Sequence, residues 1–167
     1  MSRRARERAY RPGPVHLNSV ERAISGARKL PPSDVATVKD GMTRALLCFG
    51  RGEDCHQHWM HMADALNVAE SLAIGGICSD EGSLTKILAG QAALAAVLSR
   101  QRAGGSWTLY GAERQALDDA LWLHGVQLDH ASFSEYEAAV NRTIHRIQQA
   151  KAGNAGRGVV VVDGARA

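Results

Sequence analysis

The stretch Glu81–Arg102, EGSLTKILAGQAALAAVLSRQR, decides the fold. Leu84, Ile87, Leu88, Gln91, Leu94, Ala95 and Leu98 recur three and four residues apart, the period of one helix face, and this set is expected to point inward. Ser79 or Asp80 stands before it as an N-cap, and Gly104-Gly105 breaks it. The whole chain shares this character. It is 45% hydrophobic but only 5% aromatic. An Ala-rich, Leu-bearing composition short of the residues that pleated surfaces use favours helices over sheets.

Working outward from that stretch, five further helices are expected. A short one begins at Asn18, with Glu21 three residues on in a capping-box-like start, carries Val20, Ile24 and Ala27, and ends at Pro31-Pro32. A second, from about Ser33 to Phe49, sets Val35, Val38, Met42, Ala45, Leu46 and Phe49 on one face before Gly50-Arg51-Gly52. A third, from about Cys55 to Ala73, has Asp54 as N-cap and an inner face of Trp59, Met62, Ala63, Leu66, Ala69 and Ala73, closed by Gly75-Gly76. The fifth, from about Gly111 to Asp129, aligns Leu117, Leu121, His124 and Leu128. The sixth, from about Phe133 to Lys151, has a Ser132–Glu135 capping box and a stripe of Phe133, Tyr136, Val140, Ile144 and Ile147. The links are short, so neighbouring helices run antiparallel. The expected architecture is an all-α bundle of five long helices and one short N-terminal helix. Its core would hold Val38, Met42, Leu46, Trp59, Leu66, Leu88, Leu94, Leu98, Leu117, Leu121, Val140 and Ile144.

The 167 residues suit one domain, divided into a basic arm (1–16), the bundle (17–152) and a Gly/Val-rich tail (153–167). Val159-Val160-Val161-Val162 in the tail favour an extended strand, which cannot stabilise itself alone. Charge is divided as sharply. Residues 1–30 hold eight basic and two acidic side chains, for +6, within a chain of +3, so residues 31–167 sum to −3. Such asymmetry points the arm toward a polyanion. Three cysteines, Cys48, Cys55 and Cys78, form no framework, and the expectation is reduced thiols in a cytoplasmic protein. Arg3-Arg4 is not followed by an apolar segment, so no signal peptide is read. The longest apolar run, Ala92 to Leu98, is too short to span a bilayer, and no membrane partner is expected.

Few residues suggest chemistry. Asp54, His58 and His61 share a helix face, and two histidines a turn apart can ligate zinc because their ring nitrogens converge. The segment lacks the His-Glu-x-x-His pattern of zinc hydrolases, and the plainer alternative puts the histidines on a solvated flank while Trp59 and Met62 face the core. His124 reads either as a buried general base or as a core histidine that orders packing through one hydrogen bond. Cys48 reads as a small buried hydrophobe. No nucleophile elbow, Walker loop or dinucleotide fingerprint is present. The expectation is a non-enzymatic protein with no cofactor.

The usable clue is the arm. Arg3, Arg4, Arg6, Arg8 and Arg11 can neutralise phosphates and gain affinity by releasing counterions. No link matches the tight turn of a helix-turn-helix, so phosphate contact without base reading is expected. The segments Arg11–Leu17 (RPGPVHL), Ala65–Glu70 (ALNVAE), Ser106–Tyr110 (SWTLY) and Trp122–Leu128 (WLHGVQL) resemble a family of small uncharacterised proteins of proteobacterial prophages and integrated mobile elements. That resemblance implies a bacterial cytoplasmic accessory or regulatory protein and transfers no catalytic residue. Expected partners are nucleic acid or a nucleoprotein complex. A protein–protein module acting on a host protein is the alternative, and homo-oligomerisation is allowed.

Overall fold

A computed structural model of the chain describes residues 19–51 and 55–152. They form six α-helices: α1 (Ser19–Gly26), α2 (Pro32–Arg51), α3 (His56–Ile74), α4 (Glu81–Arg102), α5 (Gly111–His130) and α6 (Phe133–Lys151). The only β-type pairing among the described residues is an isolated bridge between Lys29 and Ser132. The expected all-α bundle is the observed one. The arm, the valine tail and Asn18 lie outside the described residues.

Local chemistry explains the helix ends. Pro32 opens α2, at a position where a missing N–H leaves no hydrogen bond unmade. Asp80 caps α4 by accepting from the Ser83 amide at 2.8 Å. Ser132 and Glu135 form the expected capping box on α6. At the end of α3, Gly76 takes φ +102° while the Ile77 amide donates to the Leu72 carbonyl at 3.0 Å. Gly104, at φ +83°, does the same after α4, with the Gly105 amide on the Arg100 carbonyl at 2.9 Å. Both Gly-Gly pairs are thus left-handed helix stops that satisfy orphan carbonyls.

Helix α3 is the centre of the bundle and packs against α2, α4, α5 and α6. The main core gathers Met42, Phe49, Trp59, Met62, Leu66, Leu94, Val97, Trp107, Leu117 and Leu121 from α2 to α5 and from the α4–α5 link. The Trp59 indole N–H donates to the Leu94 carbonyl at 2.8 Å, so its one polar group is satisfied inside. Helices α4 and α5 approach closely because Gly90 faces Ala120 and Leu66. A smaller core of Val68, Leu72, Ala131 and Ala139 joins α3 to α6, with Leu30, Ile77, Tyr136 and Val140 packed against it.

Several expected faces are rotated. On α4, Leu88 and Ala95 point outward, while Gly90, Ala93 and Val97 join Ile87, Gln91 and Leu94 inside. The helix is apolar on nearly every side, so its period could not tell which side its neighbours would cover. On α6, Ala139 and Thr143 are the buried residues, while Phe133 and Ile144 are exposed. Helix α6 lies against α3 through small residues, which leaves its larger apolar groups at the margin. Ile24 on α1 is also exposed.

The cysteines depart from expectation too. Cys48, one turn from the end of α2, and Cys55, at the N-cap position of α3, are joined in a disulfide with Cα atoms 6.1 Å apart. The end of α2 and the start of α3 place residues seven apart in sequence side by side, and both are buried in the main core. Cys78 is a free thiol in the α3–α4 link.

Candidate functional site

The sequence-predicted contact residues Arg3, Arg4, Arg6, Arg8 and Arg11 lie outside the described residues. What the structure places is the base to which that segment is joined. Helix α1 rests on the start of α6, where Gly26 meets the side chain of Ser134. The Phe133 amide donates to the Arg28 carbonyl at 2.7 Å, and the Lys29–Ser132 bridge lies beside it. These bonds tie the α1–α2 link to the α5–α6 link. Arg28 and Lys29 are exposed at this corner, and the Lys29 ammonium donates to the Asp129 carbonyl at 3.3 Å.

Two clefts open between α2 and α5. The first, about 300 Å³, is lined by Met42, Leu46, Leu121, Trp122 and Gly125. The second, about 520 Å³, is lined by Leu30, Pro31, Val35 and Leu128. Lys39 and Asp129 belong to both and meet in an ion pair of 2.7 Å across them. Neither lining contains histidine, cysteine or serine, and the polar groups they do hold include Lys39, Thr43, Asp118 and Asp129. Trp122 is 67% exposed at the first cleft.

The rings of His58 and His61 lie edge-on with centroids 6.5 Å apart. Asp54, the third candidate, lies outside the described residues. Among the described residues no group of three His, Cys, Asp or Glu side chains is placed to hold a metal ion. Asp64, next along this surface, has its carboxyl pushed up by partial burial and pulled back by His61.

Sequence reading missed a buried polar network around the second half of α3. The Gln91 amide donates to Glu70 at 3.0 Å, and Arg146 reaches the other Glu70 oxygen at 2.8 Å. Thr143 bonds to Ser71 at 2.8 Å and donates to the Asn67 carbonyl at 3.1 Å. Arg142 donates to the Ser71 carbonyl at 2.9 Å. From α5, the Gln127 amide spans the Ala69 and Ile77 carbonyls at 3.0 and 3.1 Å, while its oxygen faces His124 at 3.3 Å. His124 is fully buried, and desolvation lowers its pKa to about 4, against a smaller opposing effect of the Gln127 bond. It is therefore a neutral core histidine with one side-chain hydrogen bond. The available signal was in Ala65–Ile74, which contains no lysine or arginine and too few polar residues to supply a solvated face.

A clamp closes the α4–α5 link. Arg100 donates to both oxygens of Glu113 at 2.9 Å and to the Thr108 carbonyl at 2.6 Å, and its guanidinium lies 4.1 Å from the Tyr110 ring centroid. The Arg100 hydrogen bonds hold the Glu113 carboxyl below its ordinary pKa. These polar groups face one another and tie the end of α4 to the start of α5. Comparison with protein-family models, with curated proteins and with solved structures finds no match to this chain.

Proposed function

We propose that the chain is a non-catalytic accessory protein that holds nucleic acid, or a nucleoprotein complex, through the arginines of its N-terminal arm, with the helical bundle as carrier. The observation that carries this reading is the division of charge, +6 in residues 1–30 against −3 in residues 31–167. Five of those cations, Arg3, Arg4, Arg6, Arg8 and Arg11, fall within nine residues. Such density supports phosphate neutralisation, which is independent of base sequence.

The test is binding of the full chain to duplex and single-stranded DNA across a salt series. Affinity for the duplex is expected to fall log-linearly with a slope of about four to five, the value for that many phosphates. An absence of binding at low salt would overturn the reading. A second reading, a protein-interaction module, is favoured by the exposure of Trp122 beside an apolar cleft. It predicts no DNA binding and capture of a protein partner that is lost on Trp122→Ala.

A further inference from the structure

We infer that the outer face of α4 is the surface on which a second copy of this chain docks, helix against helix and antiparallel, about a two-fold axis at Ala92. No charged residue occurs between Lys86 and Arg100 of α4. The helix is long and apolar enough to cross a membrane by length and composition. Yet only part of it is covered: Ile87, Gly90, Gln91, Ala93, Leu94 and Val97 are buried, while Leu88, Ala89, Ala92, Ala95, Ala96 and Ser99 are exposed. At about 100° per residue, Thr85, Leu88, Ala92, Ala96 and Ser99 lie within about 40° of one line along the helix. An exposed helix face this long without charge departs from the alternation that solvent-facing helices show.

Two independent features select a second copy as the occupant. The first is charge. Glu81 opens the face and Arg102 closes it, both are exposed, and neither has an ion pair among the described residues. They stand nearly equidistant from Ala92, so an antiparallel copy brings Glu81 of each chain beside Arg102 of the other. The helix dipoles oppose favourably in the same arrangement. A parallel copy would instead stack like charges. The second is size. Leu88, 40% exposed, is the one large side chain on the face; it lies four residues before Ala92, and Ala95 and Ala96 lie three and four residues after it. Antiparallel docking therefore seats Leu88 of each copy in the hollow beside Ala95 and Ala96 of the other, as a knob in a hole. A lipid surface fits less well, because the face carries an acid, Glu81, at one end as well as a base, Arg102, at the other.

The inference does not rest on the arm, and its test is separate from DNA binding. The full chain is weighed by sedimentation equilibrium against its 17.9 kDa monomer mass. A single helix pair is a small interface, so doubling of the mass is expected at about 10–100 μM. Ala92→Glu, on the exposed surface and so compatible with folding, is expected to hold the chain at monomer mass with unchanged helical signal. Glu81→Arg and Arg102→Glu should each weaken association, and the double exchange should restore it. Monomer mass at every concentration, association indifferent to Ala92→Glu, failure of the double exchange to rescue, or flotation of the chain with zwitterionic vesicles would each overturn the inference.

Discussion

His124 is a titratable side chain taken wholly out of water. Its ring is fully buried with Gln127 as its side-chain partner, and desolvation takes the pKa from 6.5 to about 4. Between those values the unfolded chain binds a proton that the folded chain does not, so stability rises with pH in this window. His124 therefore leaves stability undiminished above pH 6.5 and removes on the order of 3 kcal/mol by pH 4. Urea midpoints measured from pH 7 to 4 should fall more steeply for the native chain than for His124→Leu, which has no ring to protonate. Parallel profiles would mean that the ring is not buried in neutral form. The place of His124 in the Leu117–Leu121–Leu128 stripe was legible in the sequence, because position within a turn is a local property. Its partner was not, since Gln127, Asp129 and Asp118 stand three, five and six residues from it and the backbone offers carbonyls as well.

At the scale of elements, contacts between helices decide the sign of substitutions that local propensity would misjudge. A glycine inside a helix ordinarily costs about 1 kcal/mol relative to alanine. Gly41 on α2 follows that rule, because a Cβ there would meet nothing within 4 Å. At Gly90 the added Cβ would lie 2.6 Å from the Ala120 Cβ and 3.4 Å from the Ala116 carbonyl oxygen, neither of which can swing away. Thermal melts should show Gly41→Ala raising stability by up to about 1 kcal/mol. Gly90→Ala should lower it by roughly 1–3 kcal/mol. The α2–α3 link offers another measurement. The Cys48–Cys55 bond closes a loop of seven residues, worth about 2 kcal/mol on the chain-entropy scale. Thiol titration of the denatured chain should find one reactive cysteine without reductant and three with it, and reduction should lower the urea midpoint accordingly. Three thiols without reductant would restore the expectation of free cysteines. That pairing was hidden in the sequence because three cysteines suggested no framework, and only the packing of the end of α2 against the start of α3 sets two of them together.

For the whole molecule, fold and charge reside in different parts of the chain. Every residue of the main core lies between Met42 and Leu121, well clear of the basic segment. Deleting residues 1–12 should therefore leave the circular dichroism spectrum and melting temperature unchanged while abolishing DNA binding. A truncated chain that binds equally well would move the search to the bundle surface. By itself the sequence determined that the described residues form six helices, where most of them begin and end, and how the charge of the chain is divided. Caps, proline starts and glycine stops act within a few residues, and charge is a matter of counting. Only the tertiary structure decided which sides of α4 and α6 are covered, that Glu70, Gln91 and Arg146 meet in the interior, and that Cys48 lies against Cys55. A period of 3.6 residues marks an apolar direction on a helix, but where a helix is apolar almost all round, the neighbours that exclude water choose the buried side.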